Sequence, residues 1–348
     1  MMPLSILDLS PVPAGGSAAQ SLRNSIDLAR HADTLGYRRY WLAEHHNLAN
    51  IASSAPDLMI GQIAAATRHM RVGSGGVMLP NHAPLTVAER FKVLEALFPG
   101  RIDLGLGRAP GTDHVTSVAL RRRQDIRDED DFLDRFQELL LLENKGYPKD
   151  HPFSNVRAMP DDVSLPPIFL LGSSDYSAQL AAQIGAGFSF AHHFAGHDAA
   201  DAMRIYRERF KPSQHLDKPV AILATAAVVA ETADEAERLA STIDLNFVRR
   251  ARGVYAPLEH PDVALAYDYA PIDRERIAKN RERLAVGDPA TVKARLNELA
   301  TATQADEIMI TTMVYDHEAR KRSYALLAEA FSLPSPHAMP QPQIATAG

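Results

Sequence analysis

The chain has 348 residues, 46% hydrophobic and 23% charged, an ordinary composition for a globular protein with a sizeable core. Its net charge of −6 argues against a dedicated nucleic-acid surface, which needs a basic field, and the absence of cysteine excludes disulfides, zinc–thiolate sites, iron–sulfur clusters and thiol nucleophiles. No apolar run approaches the roughly 18 residues of a membrane span, and Met1-Met2-Pro3-Leu4 lacks the basic and apolar regions of a secretory signal, so a cytoplasmic, enzyme-sized protein is expected.

Short β-prone runs alternate along the chain with segments of helical period, the pattern of βαβ units around a parallel sheet. The first strand is predicted at 4–9. A helix follows over 18–35, with Leu22, Ile26, Ala29 and Ala32 on one stripe and Gly36 ending it. The second strand falls at 37–43 and its helix at 56–68. The third, 70–79, precedes a helix opened by Pro84 and closed near Pro99-Gly100. The fourth, 101–106, is followed after a long loop by a helix at 128–142. Strands five and six fall at 167–171 and 187–190. Strand seven, 220–230, is almost unbroken in its apolar character, as where both sheet faces are buried. Strand eight, 306–311, leads into a last helix at 317–331.

Eight strand–helix pairs in order make a single (β/α)₈ TIM barrel over residues 1–332 the leading fold. An open doubly wound sheet shares the alternation and differs in strand count. Two segments break the pattern. Residues 249–287, between strands seven and eight, combine proline, glycine and several aromatics and read as a mobile lid insertion. Residues 333–348, rich in proline and alanine without apolar period, read as a disordered tail.

In a barrel the strand ends converge at one mouth, so the residues they carry are the informative ones. Strand two delivers Glu44-His45-His46, strand three Gly75-Gly76 and then Asn81-His82, and strand four Gly105-Leu106-Gly107-Arg108. Strand five delivers Gly172-Ser173-Ser174-Asp175-Tyr176-Ser177, and strand six His192-His193. A glycine with three hydroxyls at a helix start suits a phosphate, through free N–H groups and the positive dipole end. Helix capping by the same residues is the alternative. Gly15-Gly16-Ser17 makes a similar cradle, whereas the loops after strands seven and eight carry Glu231, Asp234, Glu235 and Asp316, which repel phosphate. Arg108 is the natural partner for a phosphate next door, with a barrel-rim salt bridge as its alternative. Gly73-Ser74-Gly75-Gly76 is unusual for a central strand and suggests a bulge, a close approach to a flat ligand, or tight packing. A metal site on the histidines is weakly supported, because adjacent residues of a strand face opposite ways and each pair offers one inward ligand. A lone histidine there reads instead as a wall residue or an acid–base group.

Three blocks resemble the luciferase-like flavin-dependent monooxygenases: Tyr40-Trp41-Leu42-Ala43-Glu44-His45-His46, then Val72-Gly73-Ser74-Gly75-Gly76-Val77-Met78-Leu79-Pro80, then Pro99-Gly100-Arg101-Ile102-Asp103-Leu104-Gly105-Leu106-Gly107-Arg108. The likeness continues through Gly172-Ser173-Ser174 and Gly287-Asp288-Pro289, outside the lid and tail, and is strongest to the stand-alone group. It implies a barrel that binds FMN against strands two to four, with a non-proline cis peptide at Gly75-Gly76. It implies that Arg108, Gly172, Ser173, Ser174 and Ser177 hold the phosphate, that Glu44 and Glu89 line or support the flavin site, and that His45 is catalytic. His192, with His193, would border the substrate side. The light-emitting members carry a reactive cysteine where this chain has Gly107, so long-chain aldehyde chemistry is not implied. The expected activity is oxidation of a small organic substrate by O₂ and reduced FMN, the flavin reduced by a separate reductase. A homodimer is implied, through the second and third helices, where Gly61 and Ala64-Ala65-Ala66 permit close approach. A flavin- or deazaflavin-dependent oxidoreductase, a non-catalytic FMN-binding protein and a metal-dependent hydrolase are the alternatives.

Overall fold

Parallel strands bury both faces either between two layers of helices or, in a barrel, with helices outside and the sheet closed on itself within. A computed structural model, describing residues 2–121, 131–213 and 216–334, shows that closure. The strands are β1 (Leu4–Asp8), β2 (Arg39–Leu42), β3 (Arg71–Ser74), β4 (Val77–Met78), β5 (Ile102–Gly107), β6 (Ile168–Gly172), β7 (Gly187–Ala191), β8 (Ala221–Val229), β9 (Leu284–Gly287) and β10 (Glu307–Thr311). The first helices are α1 (Ala18–Leu35), α2 (Pro56–Ala66), α3 (Pro84–Leu97), α4 (His114–Arg121), α5 (Phe132–Glu143) and α6 (Asp175–Ile184). Then come α7 (Ala199–Arg209), α8 (Ala233–Ala251), α9 (Pro261–Leu265), α10 (Pro271–Arg281), α11 (Pro289–Thr303) and α12 (His317–Phe331). β10 pairs with both β8 and β1, which shuts the barrel.

β3 and β4 are two halves of one barrel strand. Gly73 pairs with Asp103, but Val77 pairs with Leu106, so the strand carries one extra residue, a bulge, between them. The Gly75–Gly76 peptide at that point is cis. The continuous strand expected over 70–79 is therefore interrupted, and it stops at Met78, where Leu79–Asn81 turns into a 3₁₀ helix. β9 was not expected. Ala226 pairs with Thr311 and also with Leu284, so β9 lies on the edge of β8 that β7 leaves beyond Ala224.

The interior is layered. Ser5, Arg39, Asp103 and Glu307 form a buried ionic layer toward the strand starts, with Arg39 bonded to Asp103 at 2.7 Å and to Glu307 at 3.0 Å. Above it Leu7, Trp41, Phe169, Ile222, Ala224 and Met309 pack as an apolar plug. Trp41 joins the two, donating Nε1–H to Asp103 at 3.0 Å. Outward residues such as Ile6, Leu42, Leu104 and Ile308 meet the helices in the main core. On the same outer face Asp8 accepts from Arg320 at 2.6 Å, both side chains buried, tying β1 to α12.

Residues 249–287 contain the end of α8, α9, α10 and β9. They are tied to the β1–α1 loop by Ala14 N–H to the Leu258 carbonyl at 2.7 Å and Leu258 N–H to that of Val12 at 2.9 Å. Of the helix expected at 128–142, residues 128–130 lie outside the described residues, as does the tail from 335 onward. No helix among the described residues is long and apolar enough to cross a membrane.

Candidate active site

The apolar plug is the floor of a cavity of about 380 Å³ at the C-terminal mouth of the strands, with Leu7, Ala224 and Met309 belonging to both. That size and position are usual for a ligand site on this architecture. Glycines shape one wall. A Cβ on Gly75 would stand 2.6 Å from Leu7 Cδ1, and one on Gly76 would stand 2.8 Å from the Gly105 carbonyl oxygen, so neither position admits a larger residue without movement. Gly75 lines the cavity and Gly76 faces the backbone of β5. Gly107 and Met78 are further along the wall.

Arg108, at the end of β5, meets Gly172, Ser173, Ser174 and Ser177, at the end of β6 and the start of α6, on this cavity. The Arg108 guanidinium lies 4.6 Å from the centre of the Tyr176 ring, in the first turn of that helix. Ser174 is the N-cap of α6 by backbone geometry, yet its hydroxyl makes no capping bond. Capping therefore does not account for the serine, and the first-turn N–H groups keep their outward bonding capacity. A cation, hydroxyls and a helix N-terminus at one point are a seat for a phosphate. The residues fit the phosphate of a flavin mononucleotide.

His45 and His193 are half-buried in the same cavity. His45 Nδ1 lies 3.1 Å from the Gly111 carbonyl and His193 Nδ1 lies 3.2 Å from that of Ala224. A carbonyl only accepts, so each Nδ1 carries the proton and each Nε2 keeps a lone pair. Burial pushes the His45 pKa below its usual value, and Arg250 nearby pushes the same way against the Gly111 bond. Burial takes His193 further, down to about 4, with His192, His45 and Arg250 adding positive charge against the Ala224 bond. Both rings are neutral bases at pH 7.

The remaining expected residues divide. Glu44 is fully buried behind the cavity wall, not on it. Its carboxylate accepts from His46 Nε2 at 2.8 Å, His82 Nε2 at 2.9 Å and the Met78 N–H at 2.9 Å. Burial would raise its pKa, but these donors outweigh it and bring it to about 2. Glu44 thereby anchors β4 and its Met78. The structure does not bring Glu89 to the cavity: it sits on α3, where its carboxylate faces the Met159 N–H at 3.4 Å. Nor is His192 there. Its neighbour His193 takes the inward direction, and the main charges acting on His192 are Arg295 and Arg283 behind the strand ends. Sequence reasoning missed Arg250, Phe194 and Ser189, all of which line the cavity. Ser189 was findable, because it shares the inward parity of β7 with Ala191.

The sequence profile of a family described as luciferase-like monooxygenase matches residues 2–306. A luciferase-like monooxygenase of Escherichia coli is 44% identical over 322 residues, covering 92% of this chain and 95% of the relative. The N-acetyl-S-alkylcysteine monooxygenase of Bacillus subtilis is 34% identical over 334 residues, covering 95% of this chain and 98% of the relative. The crystal structure of apo-MsnO8 matches with a TM-score of 0.88 at 38% identity, covering 96% of this chain and all of that one.

Proposed function

This chain belongs to the luciferase-like monooxygenase family and is an oxidoreductase, and we propose that it uses reduced FMN and dioxygen to oxygenate a small organic substrate in the cavity described above. The observation that carries the reading is the meeting of Arg108 with the Ser174 hydroxyl, which makes no capping bond, and the α6 N-terminus, in one cavity with two neutral imidazoles. Arg108, Ser173, Ser174 and Ser177 would hold the flavin phosphate, and Gly75 and Gly107, which present no side chain, would border the ring. Bound flavin supplies the electrons and the activation of oxygen; the protein supplies orientation and a water-poor site.

His45 is placed to take and return a proton at Nε2, its Nδ1–H fixed on Gly111. Residues 249–287 close the mouth over substrate. The flavin is reduced by a separate reductase protein. Two copies of the chain pair through α2 and α3, whose outer faces expose Leu58 (71%), Val93 (46%) and Leu97 (66%), while Gly61 packs inward near Leu94. Sedimentation of a Leu58→Lys, Leu97→Lys variant as a monomer, against a wild-type dimer, supports that pairing; a monomeric wild type refutes it.

The decisive assay supplies a flavin reductase, FMN, oxygen and N-acetyl-S-alkylcysteines, the substrates named for the Bacillus relative, beside unrelated thioethers and ketones. Oxygen appearing in one of these products supports the reading. Tight FMN retention with no coupled oxygen use would make the protein a flavin store, and preference for a deazaflavin would replace the cofactor. Replacing His45 by Ala should lower coupled turnover by about 10²-fold, in the range for loss of a general acid–base. Unchanged coupling removes His45 from the chemistry.

A further inference from the structure

We propose that Arg250 is a specificity-determining residue that binds the acidic group of an anionic substrate, a small carboxylate with an apolar body, at a point of the cavity separate from the Arg108 seat. The proposal rests on the flavin reading, because it gives to the substrate the part of the cavity that the phosphate seat does not use.

The end of α8 carries Arg249 and Arg250, and Arg252 follows it. Arg249 is bonded to Glu259 at 2.9 Å and Arg252 to Asp273 at 2.5 Å. Arg250 differs: it lines the cavity, and among the described residues no carboxylate pairs with it. The chain as a whole has 43 acidic residues against 37 Lys and Arg, yet among the described residues the cavity lining contains no Asp or Glu and contains two arginines. A cavity of an acidic protein whose described lining carries two arginines, both also open to solvent, and no acid is suited to negative charge.

The two arginines serve different ends. Arg108 lies over Tyr176 beside the serine turn. Arg250 is among the main charges acting on both His45 and His193, and Arg108 is not. One phosphate at the serine turn thus leaves the second cation for another anion. Beside His193 the lining is apolar, with Ala191, Phe194 and Ala224. A carboxylate would pair with the Arg250 guanidinium in two parallel bonds, its apolar chain would cover those three residues, and its reacting atom would lie within reach of the imidazoles.

Calorimetry with octanoate and its neutral isostere octanamide tests this on the FMN-loaded wild type and on Arg250→Gln. Octanoate should bind the wild type at least about tenfold tighter than octanamide, the effect of a charge-assisted pair. R250Q should lose that preference while FMN affinity stays within about twofold, since the seat at Arg108 is untouched. Equal binding of the two probes to the wild type overturns the proposal. So does R250Q weakening FMN as much as octanoate, which would make Arg250 part of the flavin seat. If the wild type does not bind FMN, the flavin reading fails, and the same octanoate–octanamide comparison on flavin-free protein still decides the role of Arg250.

Discussion

His193 gives the molecule a pH dependence that can be read directly. In the unfolded chain a histidine titrates near 6.5, whereas in the fold this ring is held down to about 4 by burial first and by neighbouring positive charge second. Between those values the unfolded state binds the extra proton, so stability is fully present above about 6.5 and falls as pH drops toward 4. Urea unfolding at pH 7, 5.5 and 4.5 should show a falling midpoint, and His193→Gln should flatten part of that fall; an unchanged slope contradicts the assignment. An anion bound near Arg250 would offset the positive charge and raise both imidazole pKa values. At this scale the sequence was partly legible. Arg108 and the serines could be chosen because their types and their positions after strands state their chemistry. Arg250 could not, since an arginine in the last turn of a helix reads first as a partner for the helix dipole, and only the rotation of α8 on the barrel separates it from Arg249. The choice between His192 and His193 likewise depended on the turn after β7.

At the scale of elements, local signals were read well and non-local ones were not. α1 occupies Ala18–Leu35 as expected, because its apolar stripe and the Gly36 cap, at φ 86°, are both local. β9 has four residues, Leu284–Gly287, with no alternation to announce it, and it exists through its pairing with β8. The break between β3 and β4 was signalled by Gly75-Gly76, but the residue at which pairing resumes is set by β5 and by Glu44 holding the Met78 N–H. α6 is where element and function meet. In the proposed flavin seat its N-terminal dipole and hydroxyls would act together on the phosphate, so Ser174→Ala should weaken FMN binding by roughly three- to tenfold, one hydrogen bond to a charged group, without moving the unfolding midpoint. Loss of stability with no change in FMN affinity would return Ser174 to a capping role.

The whole molecule is a barrel with its polar weight unevenly placed. A buried ionic layer near the strand starts holds Arg39, Asp103 and Glu307 together, an apolar plug separates it from the mouth, and the mouth carries cations and neutral imidazoles. Strand count and order were legible as eight strand–helix pairs; the ionic layer was not, because single charged residues inside strands look like surface positions until the barrel closes around them. The central claim is that this mouth seats a flavin by its phosphate. Calorimetric comparison of FMN with riboflavin tests it most directly, since the two differ only in that group. Two or more charge-assisted bonds predict that FMN binds at least about a hundredfold tighter. Equal affinities, or no binding of either, would contradict it.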